Sequence, residues 1–188
     1  MRNNPSRYVD LRGENPGDDD DVVTISTKAY KTEAEYKVAV SPIEVLIFAP
    51  YYLDLQSAFG HVAYVIDGAV YTWQLHGWQK YERKEKYFEE NSYRSANGYV
   101  IDMGAQKNIQ IKDLVKHGYD NKGYWELPVL GQYRLRQNNC GEAFSRAINQ
   151  MGGFKWEAGM SPSDHENYII NNLAPLYKVT VNHYPKKE

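Results

Sequence analysis

Two residues in this chain have the types and settings from which covalent chemistry is built, Cys140 and His61. Cys140 is the sole cysteine and follows Asn138-Asn139 at the head of the run Cys140-Gly141-Glu142-Ala143-Phe144-Ser145-Arg146-Ala147-Ile148-Asn149. Ala143, Phe144, Ala147 and Ile148 recur at helical spacing, Asn138 or Asn139 suits an N-cap, and Gly152-Gly153 ends the pattern. The spacing predicts a helix with Cys140 in its first turn. A thiol there feels the positive end of the helix dipole and unsatisfied amide donors, both of which favour thiolate. The same amides can hold the oxyanion formed when a carbonyl is attacked. A lone cysteine is more often a small buried apolar residue. Its solitude excludes an internal disulfide and a multi-cysteine zinc site.

His61 opens the clearest local signal in the chain, Gly60-His61-Val62-Ala63-Tyr64-Val65-Ile66-Asp67-Gly68-Ala69-Val70-Tyr71-Thr72-Trp73-Gln74. Two β-branched and aromatic segments flank Asp67-Gly68, the dipeptide that a type I′ two-residue turn prefers. With that turn Ile66 pairs with Ala69, and the register sets Gln74 opposite His61 with Thr72 and His76 on the same face. Each of the three can orient an imidazole, and each can equally be a polar residue on a sheet face. A histidine at a strand start facing a cysteine on a helix is the base and nucleophile of thiol hydrolases. His117, His165 and His183 stand in polar surroundings and are expected at the surface.

The remaining elements must position this pair. Ile43 to Ala49, between Pro42 and Pro50, predicts a buried strand. Tyr81 to Glu90 is charged and predicts a surface helix or loop. Gly98 to Met103 predicts another strand and Ile109 to Lys116 a short helix. A second helix is expected from Ser163, with Glu166 completing a capping box and Pro175 as its limit, before an edge strand over Leu176 to Val181. Residues 1–40 are polar, with an acidic run Asp18 to Asp21, and are expected to form a mobile extension to a domain spanning 41–188. That acidic run lacks the spaced ligands and glycine of a calcium loop.

Gly60-His61-Val62-Ala63, Val65-Ile66-Asp67-Gly68 and Val70-Tyr71-Thr72-Trp73, followed far downstream by Asn138-Asn139-Cys140-Gly141, resemble the permuted branch of the NlpC-type papain-like superfamily, over roughly Ile43 to Asn149. In that branch the histidine hairpin precedes the cysteine helix. The resemblance implies an α+β fold, circularly permuted papain-like, with an antiparallel sheet packed against the cysteine-bearing helix. It implies Cys140 as nucleophile and His61 as base, and its spacing favours Thr72 as the third residue, although a threonine hydroxyl orients an imidazole more weakly than a histidine or carboxylate does. Bacterial cell-wall endopeptidases and amidases, type VI secretion effectors and lecithin retinol acyltransferase-like enzymes are similar to this pattern. The expectation is a cysteine peptidase or amidase cutting an amide bond in peptidoglycan peptides, an antibacterial toxin with a cognate immunity protein as partner. The alternatives are a lipid acyl hydrolase or acyltransferase and an inactive binding module on the same scaffold. No cofactor or metal is required.

Composition narrows the partners. Across 188 residues, 22 basic and 24 acidic side chains are intermixed at a formal charge of −2, which offers no basic surface for nucleic acid. Met1 to Asp20 has no apolar stretch of signal-peptide length, and no segment suits a bilayer span. Synthesis in the bacterial cytoplasm, export without a cleaved leader and action in the target periplasm are the expectation. The 17 tyrosines suit a β-rich core or a groove for polar polymers.

Overall fold

The computed structural model of the chain describes residues 32–51, 60–74, 77–120, 140–151 and 161–187. Its strands are β1 (Ile43–Phe48), β2 (His61–Ile66), β3 (Ala69–Gln74), β4 (Gly77–Tyr81), β5 (Ala96–Asp102) and β6 (Lys178–Tyr184). They form one antiparallel sheet in the order β4-β3-β2-β1-β5-β6. Helices α1 (Glu33–Val40), α2 (Lys84–Glu90), α3 (Ala105–Asp120), α4 (Cys140–Gln150) and α5 (Pro162–Tyr168) complete an α+β architecture, with a π-helical turn at Ile169–Leu173.

Both faces of the central strands are covered. All six residues of β1 and all six of β2 are buried, which is why these strands read as continuous apolar runs rather than alternating ones. On one face Val45, Val62, Tyr64 and Ile101 pack with Ile111 and Leu114 of α3 and with Cys140 and Ile148 of α4. On the other, Leu46, Phe48, Ala63 and Val70 pack under Tyr87 and Phe88 of α2. Each buried aliphatic or aromatic side chain contributes on the order of 1.5–3 kcal/mol. Tyr64, Tyr71, Tyr87 and Tyr99 are buried in this core, and Tyr81, Tyr119, Tyr168, Tyr177 and Tyr184 pack against it half-buried.

The hairpin forms as its sequence predicts. Asp67 and Gly68 both take positive φ, 53° and 83°, and Ile66 pairs with Ala69. Asp67 also ties the turn to α3, accepting from Lys112 and Lys116 at 2.7 Å each. Lys112 is buried and donates further to the Val38 carbonyl and the Ser41 hydroxyl, while Asn108 reaches the Val40 carbonyl. Burial works to raise the Asp67 pKa, but the two ammonium groups outweigh it and leave the carboxyl below its ordinary value.

Several expectations shift. Helix α1, capped by Thr32, lies within the stretch expected to be an extension, so the ordered domain begins before residue 41. The reason is the grip of Lys112 and Asn108 on its last carbonyls. Residues 1–31 of that expected extension lie outside the described residues. Strand β4 lay unrecognised in Gly77-Trp78-Gln79-Lys80-Tyr81, and α3 is twice the length expected. The capping box exists two residues earlier than expected, Ser161 with Asp164, because Pro162 at the first helical position sets the helix start. The edge strand β6 begins two residues later than expected.

Candidate active site

The elements that carry the candidate residues converge at one end of the sheet, where β2 begins and β1 ends. Cys140 is the first residue of α4 and is buried. Its Sγ accepts from the Val62 amide at 3.3 Å, and its carbonyl accepts from the Tyr64 hydroxyl at 3.2 Å. The β2–β3 ladder is registered from Ala63↔Thr72 to Ile66↔Ala69 and stops short of Val62. The thiol therefore occupies the place where the hairpin strands part.

His61 is the residue before that amide, yet its ring goes the other way. Successive side chains of a strand point to opposite faces. Val62 and Tyr64 join Cys140 in one core, whereas His61 faces Thr72 and Phe48 in the other. Its Nε2 lies 2.5 Å from Thr72 Oγ1, and its ring centroid is 6.5 Å from that of Phe48. Thr72, the favoured third residue, is thus joined to His61. Gln74 follows it on the same strand face, half-buried, and His76 lies outside the described residues. The expectation of an imidazole facing the thiol is corrected in one respect. The two residues meet at the end of β2 from opposite sides of the strand.

Burial, first, and the nearby Arg94 guanidinium, second, depress the His61 pKa from 6.5 to about 3. The imidazole is therefore neutral at pH 7, with one nitrogen a donor and the other an acceptor. When Nε2–H donates to Thr72, Nδ1 carries the lone pair. Tyr87 is buried beneath the same cluster, and burial pushes its phenol above the usual tyrosine range.

Arg94 is the unforeseen cation of this end of the molecule. It is buried at 7% exposure, its Cζ stands 4.6 Å above the Phe48 ring and 5.4 Å from the Tyr93 centroid, and Nη2 donates to Asn91 Oδ1 at 2.7 Å. Among the described residues Nε and Nη1 find no hydrogen-bond partner and no ion pair engages the group. Aromatic contact returns about 0.5–2 kcal/mol. Removing a charge from water costs several kcal/mol, so the stacking leaves a deficit.

His165 is the second correction, since it is buried rather than at the surface, unlike His117 and His183. Its ring lies against Gly141, where any Cβ would overlap the imidazole. Helix α5 is fixed at three points. Pro162 packs on Gly60, Glu166 accepts from Asn97 at 2.8 Å and from the Tyr99 hydroxyl, and His165 fills the space that Gly141 leaves. The signal in the sequence was Cys140-Gly141, a glycine inside the first turn of a helix, where alanine is otherwise preferred by about 1 kcal/mol.

The described residues hold no cluster of three or more histidine, cysteine or carboxylate groups suited to a metal, and none of their helices is long and apolar enough to cross a membrane. No protein-family model, no curated protein and no solved structure matches the chain.

Proposed function

We propose that the chain is a cysteine hydrolase of the permuted NlpC-type papain-like kind, cutting an amide bond in peptidoglycan peptides. One observation carries the reading. The only thiol opens a helix and accepts an amide hydrogen bond from Val62, the residue after a neutral histidine whose Nε2 is held by Thr72. An amide donor and a helix start both stabilise negative charge on sulfur.

In the proposed reaction His61 takes the Cys140 proton on Nδ1 around the end of β2, where the two residues meet. The thiolate attacks the amide carbonyl carbon, and the first amides of α4 hold the oxyanion. Collapse breaks the C–N bond, the amine leaves with the imidazolium proton, and a thioester remains. Water then attacks, giving its proton to His61, and the carboxylic acid departs as the thiol is restored. The role of an antibacterial effector, neutralised by an immunity protein, rests on the resemblance.

A second reading of the base has its own observation, the burial of His165 against Gly141 on the Cys140 side of the sheet. In it His165 takes the proton and His61 serves the opposite face.

Mass spectrometry of purified peptidoglycan fragments after incubation with the protein tests the reaction. New peptide termini are expected with the wild type, and Cys140→Ala should lower their formation at least about a thousandfold with its melting temperature little changed. Fatty acids released from phospholipid, without new muropeptide products, would move the assignment to a lipid acyl hydrolase.

A further inference from the structure

We propose that Arg94 is the anchor for a substrate carboxylate, making the substrates of this site peptides with a free carboxylate near the scissile bond. The inference rests on the reading of Cys140 and His61 as the reacting end of the molecule. It arises from Arg94 itself.

The guanidinium is buried, its faces lie against the Phe48 and Tyr93 rings, and among the described residues its Nε and Nη1 donors have no partner. A planar fork of donors beside two aromatic rings, with Nε and Nη1 unused among the described residues, is complementary to a planar anion. The group also lies on a continuous track. Tyr93 is 40% exposed and lies against Tyr51 at 4.6 Å between centroids, the rings tilted by 53°; Arg94 is next to it, then Phe48, whose register partner is His61. Tyr93 is the exposed end of this row and His61 its buried end. Asn91 holds Nη2 and so fixes the plane of the fork before any ligand arrives.

A carboxylate here does two things. It supplies a counter-charge that Arg94 does not have among the described residues, and it screens His61 from the neighbouring cation. Binding of the acid would thereby make the imidazole a better proton acceptor in the complex than in the free protein. An uncharged ligand of the same shape would not.

The test uses full-length Cys140→Ala protein, so that nothing is turned over, with N-acetyl-D-alanyl-D-alanine and its C-terminal amide as probes. Calorimetric titration should show the acid binding at least about tenfold tighter than the amide, a margin appropriate to a charge-assisted hydrogen bond. The acid, and not the amide, should shift the imidazole nitrogen resonances of His61. In Arg94→Gln the preference should vanish, and in Arg94→Lys, which keeps the charge but loses the fork, it should fall to an intermediate value. Equal binding of acid and amide by the Arg94-containing protein overturns the inference and needs no further variant. A folded Arg94→Gln chain that keeps the preference overturns it as well. Acid preference in a protein that leaves peptidoglycan uncut would instead overturn the hydrolase reading and leave the carboxylate site standing.

Discussion

The two faces of the sheet are equally buried and differently used. The face under α3 and α4 is an apolar cluster in which Cys140 counts as one more small side chain, interrupted at its margin by His165. The face under α2 carries polar groups, of which His61, Thr72, Arg94 and Glu44 are buried, Lys84 and Tyr184 half-buried and Asn182 exposed. His61 with Thr72 and Arg94 lie at one end of it, and Glu44 with Lys84, Asn182 and Tyr184 at the other. Glu44 fits there because Gly98, two residues along β5 from its register partner Val100, has no side chain, any Cβ overlapping the carboxylate. The lesson is that burial does not separate core from site in this molecule. The polar face is costly to fold unless its groups find partners. The Glu44 cluster has them, while among the described residues Arg94 has only Asn91 and no counter-charge, and His61 is left with a strongly depressed pKa. The faces are not electrically independent either: burial is the main cause that raises the pKa of Tyr64 on one face and of Tyr87 on the other, and Cys140 adds in the same direction to both.

The sharpest way to break the comparison is to ask which face supplies the base. His61→Ala should slow iodoacetamide alkylation of Cys140 at pH 7 and reduce hydrolysis by about 10²-fold or more, with His165→Ala much less affected. The reverse order of the two variants would hand the proton transfer to the α4 face. Next comes acid stability. His61 has a folded pKa of about 3 against 6.5 when exposed. Between those values the unfolded chain binds a proton that the folded chain does not, so stability falls as pH falls through this window, by about 1.4 kcal/mol per pH unit. Urea unfolding of His61→Gln and wild type at pH 7, 6, 5 and 4 should show this slope in the difference between them. Parallel curves would mean that the imidazole is not buried as described. The smallest effect is expected from Thr72→Val, which keeps the shape and removes the hydroxyl. It leaves Nε2 unpaired at a cost of about 1–3 kcal/mol, and Thr72→Ser should recover most of that loss. Valine at no cost would show that the hydrogen bond is idle.

The hairpin was fully legible because its determinants are local. Asp67-Gly68 requires positive φ at two adjacent positions, and the register then follows by counting. The helix start at Cys140 was legible for the same reason. Strand β4 was not, since Gly77-Trp78-Gln79-Lys80-Tyr81 takes its structure from pairing along β3 rather than from its own composition. His165 was misjudged because its polar neighbours Asp164 and Glu166 face elsewhere, one to the helix cap and one to β5. Arg94 had no local signature at all. Its burial depends on the Phe48 ring, far from it in the sequence, and the facing of His61 away from Cys140 depends on the parity of one strand position.

The pieces gathered at the start of β2 come from segments scattered along most of the chain. The hydrogen bond from Val62 to the thiol alone closes a separation of 78 residues. Contacts of such span form late, once loop closure has been repaid by the core they complete. Until then the cysteine is an ordinary thiol and the arginine an ordinary surface cation. A chain still emerging from the ribosome, or threaded in an unfolded state through a narrow conduit, is chemically mute. Activity and tertiary structure would appear together, so recovery of thiol reactivity during refolding would serve as a clock for the last step of assembly.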